Sequence, residues 1–181
     1  ETKLTTGGAL SVSGVVSGAL TATTTGAITQ FGALKVTGAT TLTGGSVTLA
    51  DSANEFQDVV TVTAGATAIS DANDLKISLT TGETKLSARD SLSVSGVVSG
   101  ALTVSSTGAV TQFGALKLTG ATALMGASVT LADPANDFIG QVTVTAGATA
   151  ISDANDLKVS LTTGETKLTT GGALSLSGVV S

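Results

Sequence analysis

The chain is a tandem repeat: ETKL begins at Glu1, Glu83 and Glu165, so 1–82 and 83–164 are successive copies of one unit. Aligned position by position, the two copies differ at 19 places and are identical at 63. The third copy, ETKLTTGGALSLSGVVS (165–181), differs from the first only by Leu176 in place of Val12. A unit this long is either a copied globular domain or a set of shorter coils copied together. The second reading fits, because from Ala9 the chain runs ALSVSG, VVSG, ALTATTTG, AITQFG, ALKVTG, ATTLTGG, SVTLADSANEF. Apolar and small polar residues alternate for four to seven positions, then Gly or an Asx-rich turn intervenes. That alternation is the pattern of half-buried strands, and Gly at each break allows a sharp corner. No stretch shows the i, i+3, i+4 spacing of an amphipathic helix, so the chain reads as all-β.

Within the unit, strand pairs recur at about 20 residues: SVTLADSANEF (46–56) aligns with ATAISDANDL (66–75) after a one-residue gap. This predicts a parallel β-solenoid with about 20 residues per coil, four coils per unit and about nine coils in all. At about 4.8 Å per coil the rod is on the order of 40 Å long. Residues 1–82 and 83–164 are then two repeat units and 165–181 a partial third, all one continuous solenoid. The chain starts and stops inside the array, which reads as a fragment of something longer, with any export signal outside it. Propeller blades of about 40–50 residues carry aromatic signatures, and immunoglobulin-type sandwiches bury a Trp or Tyr. This chain has no Trp and no Tyr.

Composition narrows function mainly by exclusion. The net charge is −5, and the eight Lys and Arg are scattered, so no basic footprint for nucleic acid or an anionic membrane is present. No apolar run approaches the roughly 20 residues of a membrane helix. With no His and no Cys, nucleophile–base pairs, zinc sites and haem ligation lack their usual residues. Phosphate-binding GxxxxGK[ST] and GxGxxG strings and calcium-binding GGxGxDxUx repeats are absent.

The run GALTVSSTGAVTQFGALKLTGATALMGASVTLADPANDFIGQVTVTAG (100–147) resembles the repeats of filamentous haemagglutinin-type proteins and related autotransporter passengers. The phrases GAxTQxGALxxTG and LxxxANDFxGxVTVT carry the resemblance, and both units contain versions of them. It implies a right-handed parallel β-helix shaft, secreted and displayed on the bacterial cell surface as part of a giant adhesin. The family's binding tips lie outside these residues, so the resemblance assigns no site here. The partners it implies are neighbouring repeats, and host or bacterial surfaces reached through other regions. The alternative is an extracellular filament in which copies of the chain stack end to end.

The remaining candidates for chemistry are acids in turns. ATAISDANDLK occurs identically at 66–76 and 148–158, and LADSANEF and LADPANDF precede it by one coil. Asp51, Asp71 and Asp74, with Asp133, Asp153 and Asp156, are therefore candidate calcium ligands, since oxygen-rich turns suit that ion. The competing reading is that Asp and Asn cap corners through local backbone amides, with Asn54 and Asn73 stacked as an amide ladder. No other cofactor is expected. A glycan-cleaving enzyme needs a single cluster of acids and bases. Asp51, Glu55, Asp71 and Asp74 each have an acidic twin in the second copy (Asp133, Asp137, Asp153 and Asp156), which points away from catalysis. Arg89 and Asp90 replace Gly7 and Gly8 and read as a solvated corner. Thr21, Thr23 and Thr25, with Thr41 and Thr43, are spaced like an ice-binding ladder, but Thr43 becomes Met125 in the second copy. Phe31, Phe113, Phe56 and Phe138 are expected as corner or core plugs.

Overall fold

The computed structural model describes residues 1–181 and consists of strands joined by tight corners, with no helix. In the first part of the chain the strands are β1 (Thr2–Thr6), β2 (Leu10–Val16), β3 (Leu20–Thr24), β4 (Ala27–Val36), β5 (Thr40–Leu49), β6 (Glu55–Phe56), β7 (Val60–Asp71), β8 (Leu75–Thr81) and β9 (Thr84–Ala88). They continue as β10 (Leu92–Val98), β11 (Leu102–Ser106), β12 (Ala109–Leu118), β13 (Thr122–Met125), β14 (Ser128–Leu131), β15 (Asp137–Phe138), β16 (Val142–Asp153), β17 (Leu157–Thr170) and β18 (Leu174–Val180). All eighteen join one sheet wound into a parallel β-solenoid of about ten coils, a little tighter than the spacing of the sequence repeats predicts.

Strand alternation sets what points inward. In β3, Leu20, Ala22 and Thr24 are buried while Thr21 and Thr23 face outward. Repeated coil after coil, this gives a single core of 36 buried apolar residues. Small and branched side chains fill that core, because facing strands of a narrow rod leave little room between them. Phe56 and Phe138 are its large plugs, stacked on Val36 and Leu118.

Cross-strand register shows three faces. On the first, Thr2, Leu20, Thr40, Val60 and Ile77 stack in a column, one coil apart at each step. The second column is Leu10, Ile28, Val47, Thr67 and Thr84. On the third face, Val16, Val36 and Phe56 stack. Four coils thus carry the chain from Thr2 to Ile77, and a further stretch of strand and corner reaches Thr84.

The repeat unit therefore holds four and a third coils, not the four expected. The difference arises from two short steps, 18 residues from Thr2 to Leu20 and 17 from Val60 to Ile77, against 20 for each of the other two; the last step includes the three-residue corner Ala72–Asp74 after β7. Thr84 is the counterpart of Thr2, yet it lies on the second-face column and continues through Leu102, Thr122 and Val142. Thr166, the next counterpart, pairs with Thr149 on the column of Leu75, Leu92, Val110 and Val129. The column Val62, Leu79, Gly96 and Leu116 carries the third-face strands of the second unit above the first-face strands of the first. Each repeat is thus turned by one third of a revolution relative to the last. At about 4.8 Å per coil, one repeat rises about 21 Å, and three repeats, about 13 coils, restore the starting face after about 62 Å.

Glycine is required at one kind of bend. Gly14 and Gly96 have φ of 104° and 109°, opposite the point where β4 and β12 carry two extra residues. At Gly96 a Cβ would also collide with the Leu79 carbonyl oxygen. The extra residues push Phe31 and Phe113 out of the rod, where they are 76% and 41% exposed. These two phenyls mark a corner but plug nothing, in contrast to the expectation for them.

Candidate functional site

The acidic corners resolve into two different structures. Asn54, in the turn before β6, is fully buried and its amide is saturated. Its Nδ2 donates to the Leu49 carbonyl at 2.9 Å, to Gln30 Oε1 at 3.0 Å and to the Ser70 carbonyl at 3.3 Å. Its Oδ1 accepts from the Leu34 N–H at 2.8 Å and from Gln30 Nε2 at 2.9 Å. One side chain thereby joins three successive coils. Asn136 and Gln112 rebuild the same network in the second repeat. Asn73, by contrast, is exposed, and its Nδ2 donates to Glu55 Oε1 at 3.4 Å. The expected ladder of Asn54 on Asn73 does not form, because the shorter second corner turns before its asparagine can enter the core. The role of Gln30 and Gln112 was missed in the sequence, where TQFG reads as ordinary strand; a glutamine at the same phase in both repeats is the only signal.

The candidate calcium ligands serve the same corners. Asp71 is buried, with Oδ1 accepting from Asn73 N–H at 2.7 Å and Oδ2 from Phe56 N–H at 2.8 Å. Asp153 repeats this with Asn155 and Phe138. Asp51 and Asp133 accept from the N–H two residues ahead, at Ala53 and Ala135. Asp74 and Asp156 reach the next coil, accepting from Ser91 and Ala173 N–H at 2.8 and 2.7 Å. All six thus cap backbone amides, and no group of three acids comes together with metal-binding geometry. Burial pushes the Asp71 carboxyl above its ordinary value, against the pull of its two N–H partners. Glu55 is held below its ordinary value by Lys35, first through a hydrogen bond and then through charge, with Nζ at 2.8 Å. Lys117 and Asp137 form the equivalent pair at 3.6 Å.

The outer surface carries two further features. Lys76 lies 4.8 Å from the centre of the Phe113 ring, a cation–π contact between the first repeat and the second. Thr21, Thr41 and Thr61 stack in register beside Thr23, Thr43 and Thr63, making an array three coils high. The one-third rotation then moves its counterpart to a different face, where Ala123 and Met125 interrupt it. Arg89 and Asp90 form the corner after β9, where their amides donate to the Asp71 and Asn73 carbonyls.

Fold and surface together define a tandem-repeat parallel β-solenoid whose polar interior groups are structural staples. The chain belongs to the family described as repeats of unknown function (DUF5649), which matches residues 1–63 and 64–145. Both matches end at one phase of the repeat, at Thr63 and Thr145. No curated protein and no solved structure matches the chain.

Proposed function

We propose that the chain is a stiff spacer, a shaft segment of a long secreted bacterial surface protein of the filamentous haemagglutinin type. Its work is mechanical: it holds a distal binding region away from the cell. The observation that carries this reading is the one-third turn between repeats. Any bend or sticky patch built into one unit is distributed evenly around the axis by the next two, so the rod stays straight and favours no side. A flat recognition face would need its contacts kept on one column, and the threonine array is not kept there. The resemblance of the TQFGAL and ANDF phrases to haemagglutinin-type repeats supplies the placement at the surface.

Two measurements test the proposal. Antibody against the repeat should label intact, unpermeabilised producer cells, and labelling only after permeabilisation would refute the surface assignment. In the full-length protein, removing whole repeats should shorten the visible rod by about 21 Å each while leaving binding by the distal region unchanged. Loss of the distal region's binding on removal of any one repeat would mean that the repeats themselves are the recognition element. Assembly of the purified chain into concentration-dependent filaments would instead favour the stacked-subunit reading.

A further inference from the structure

Arg89, a charge of the second repeat with no counterpart in the first, lies at a concave part of the surface. β9 presents Lys85 and Ser87 outward, and Arg89 follows, exposed, in the corner after it. Ser87 pairs with Ser70 in the coil below and with Ser105 in the coil above, so three serines run across the strand in register. These three serines, together with Ser52, Thr107 and Arg89, line a concavity of about 340 Å³, and Lys85 lies outside it on the same strand as Ser87. The chain's ion pairs are Lys35–Glu55 and Lys117–Asp137, so neither Lys85 nor Arg89 is neutralised by a carboxylate. Two carboxylates lie near Arg89, one in the wall and one next in the chain. Asp71 in the wall already accepts two backbone N–H bonds, and Asp90 adjoins Arg89 without forming an ion pair with it.

We propose that this concavity binds an acidic glycan, with Arg89 as the anchor for a carboxylate or sulfate group. The guanidinium offers a planar fork suited to two parallel bonds to an oxyanion. The serine and threonine hydroxyls both donate and accept, which suits the ring hydroxyls of a sugar. Lys85 meets a second anionic unit further along an extended chain. A nucleic acid fits less well, because the net charge is −5 and no aromatic stacking platform adjoins the site. The site belongs to the second repeat alone: the equivalent positions are Lys3, Thr5 and Gly7 in the first copy and Lys167, Thr169 and Gly171 in the third.

Titration of the whole chain with a galacturonate hexamer and a sulfated hexasaccharide tests this, with a neutral maltohexaose and sodium sulfate as comparison probes. The expected result is one site per chain for at least one acidic oligosaccharide, with the neutral sugar and free sulfate at least tenfold weaker. R89G installs the residue that the first and third copies already carry, so the coil is retained; it should lower affinity about tenfold or more. R89K keeps the charge, loses the fork and should fall between the two. Equal binding of the neutral sugar, unchanged binding by R89G, or a stoichiometry equal to the number of repeats would each overturn the proposal. If both anionic hexamers and free sulfate bind alike, the site is a simple anion site and the glycan assignment fails.

Discussion

Asn54 and Asn73 are matched by the sequence repeat and separated by the fold, so replacing each with alanine tests the structure directly. Asn54→Ala deletes an amide that satisfies the buried Leu34 N–H and Leu49 carbonyl and orients Gln30. Each orphaned backbone group costs about 1–3 kcal/mol, so the expected loss is about 2–6 kcal/mol, with about 4 as the central figure. Asn73→Ala removes one long, exposed contact to Glu55 and should fall within about 0.5 kcal/mol of the parent. Solenoids can melt in sections, so a single denaturation midpoint could miss a local loss. Amide hydrogen exchange gives the sharper reading. In Asn54→Ala the Leu34 amide should lose protection by two orders of magnitude or more, since about 1.4 kcal/mol is a factor of ten. Amides of the coils above Ser70 should change less, because they share no partner with Asn54. A double cycle with Gln30→Ala should give a coupling of about 0.5–3 kcal/mol. If Asn54→Ala and Asn73→Ala cost the same within error, the two corners are equivalent and the register assigned to them is wrong.

Other substitutions separate inside from outside in the same way. Phe138→Ala should cost about 3–5 kcal/mol through the cavity it leaves, whereas Phe31→Ala, at an exposed corner, should cost no more than about 0.5 kcal/mol in chemical denaturation. The hydroxyls of Thr40 and Thr67 are buried without a hydrogen-bond partner. Thr40→Val should therefore be neutral or stabilising by up to about 1–2 kcal/mol, and a clear destabilisation would show that the hydroxyl has a partner. The two perturbed acids have opposite pH signatures. Glu55 contributes stability that is present above its unfolded pKa and lost as pH falls through its lowered folded pKa. The raised Asp71 favours the fold at low pH, and its contribution is lost as pH rises through its folded pKa. Carboxyl-carbon NMR titration should place Asp71 above the ordinary aspartate value and Glu55 below the ordinary glutamate value.

The solenoid was legible because strand alternation and copying leave marks that need no tertiary information. ALTATTTG predicts β3 and its inward Leu20 and Ala22 directly from period two. The coil count was less accessible. Sequence alignment placed SVTLADSANEF over ATAISDANDL with one gap, and the gap was the only trace of a corner that is short in one case and longer in the other. A coil shortened by a few positions looks trivial along the chain, yet it changes which face the next repeat occupies. The phenyls show the same limit. Phe31 and Phe56 are equally apolar, and only the two extra residues opposite Gly14 decide that the first points outward. The Arg89 concavity was visible only as two residues breaking a repeat, because its serines come from four different coils.

The rotation between repeats also ties length to direction. An array built from such units behaves like a threaded rod, so gaining or losing a repeat both changes its length and swings whatever stands at its far end through a third of a circle. A second repeat doubles that swing, and only changes in multiples of three leave the far end facing as before. Variation in copy number would then set both reach and aim.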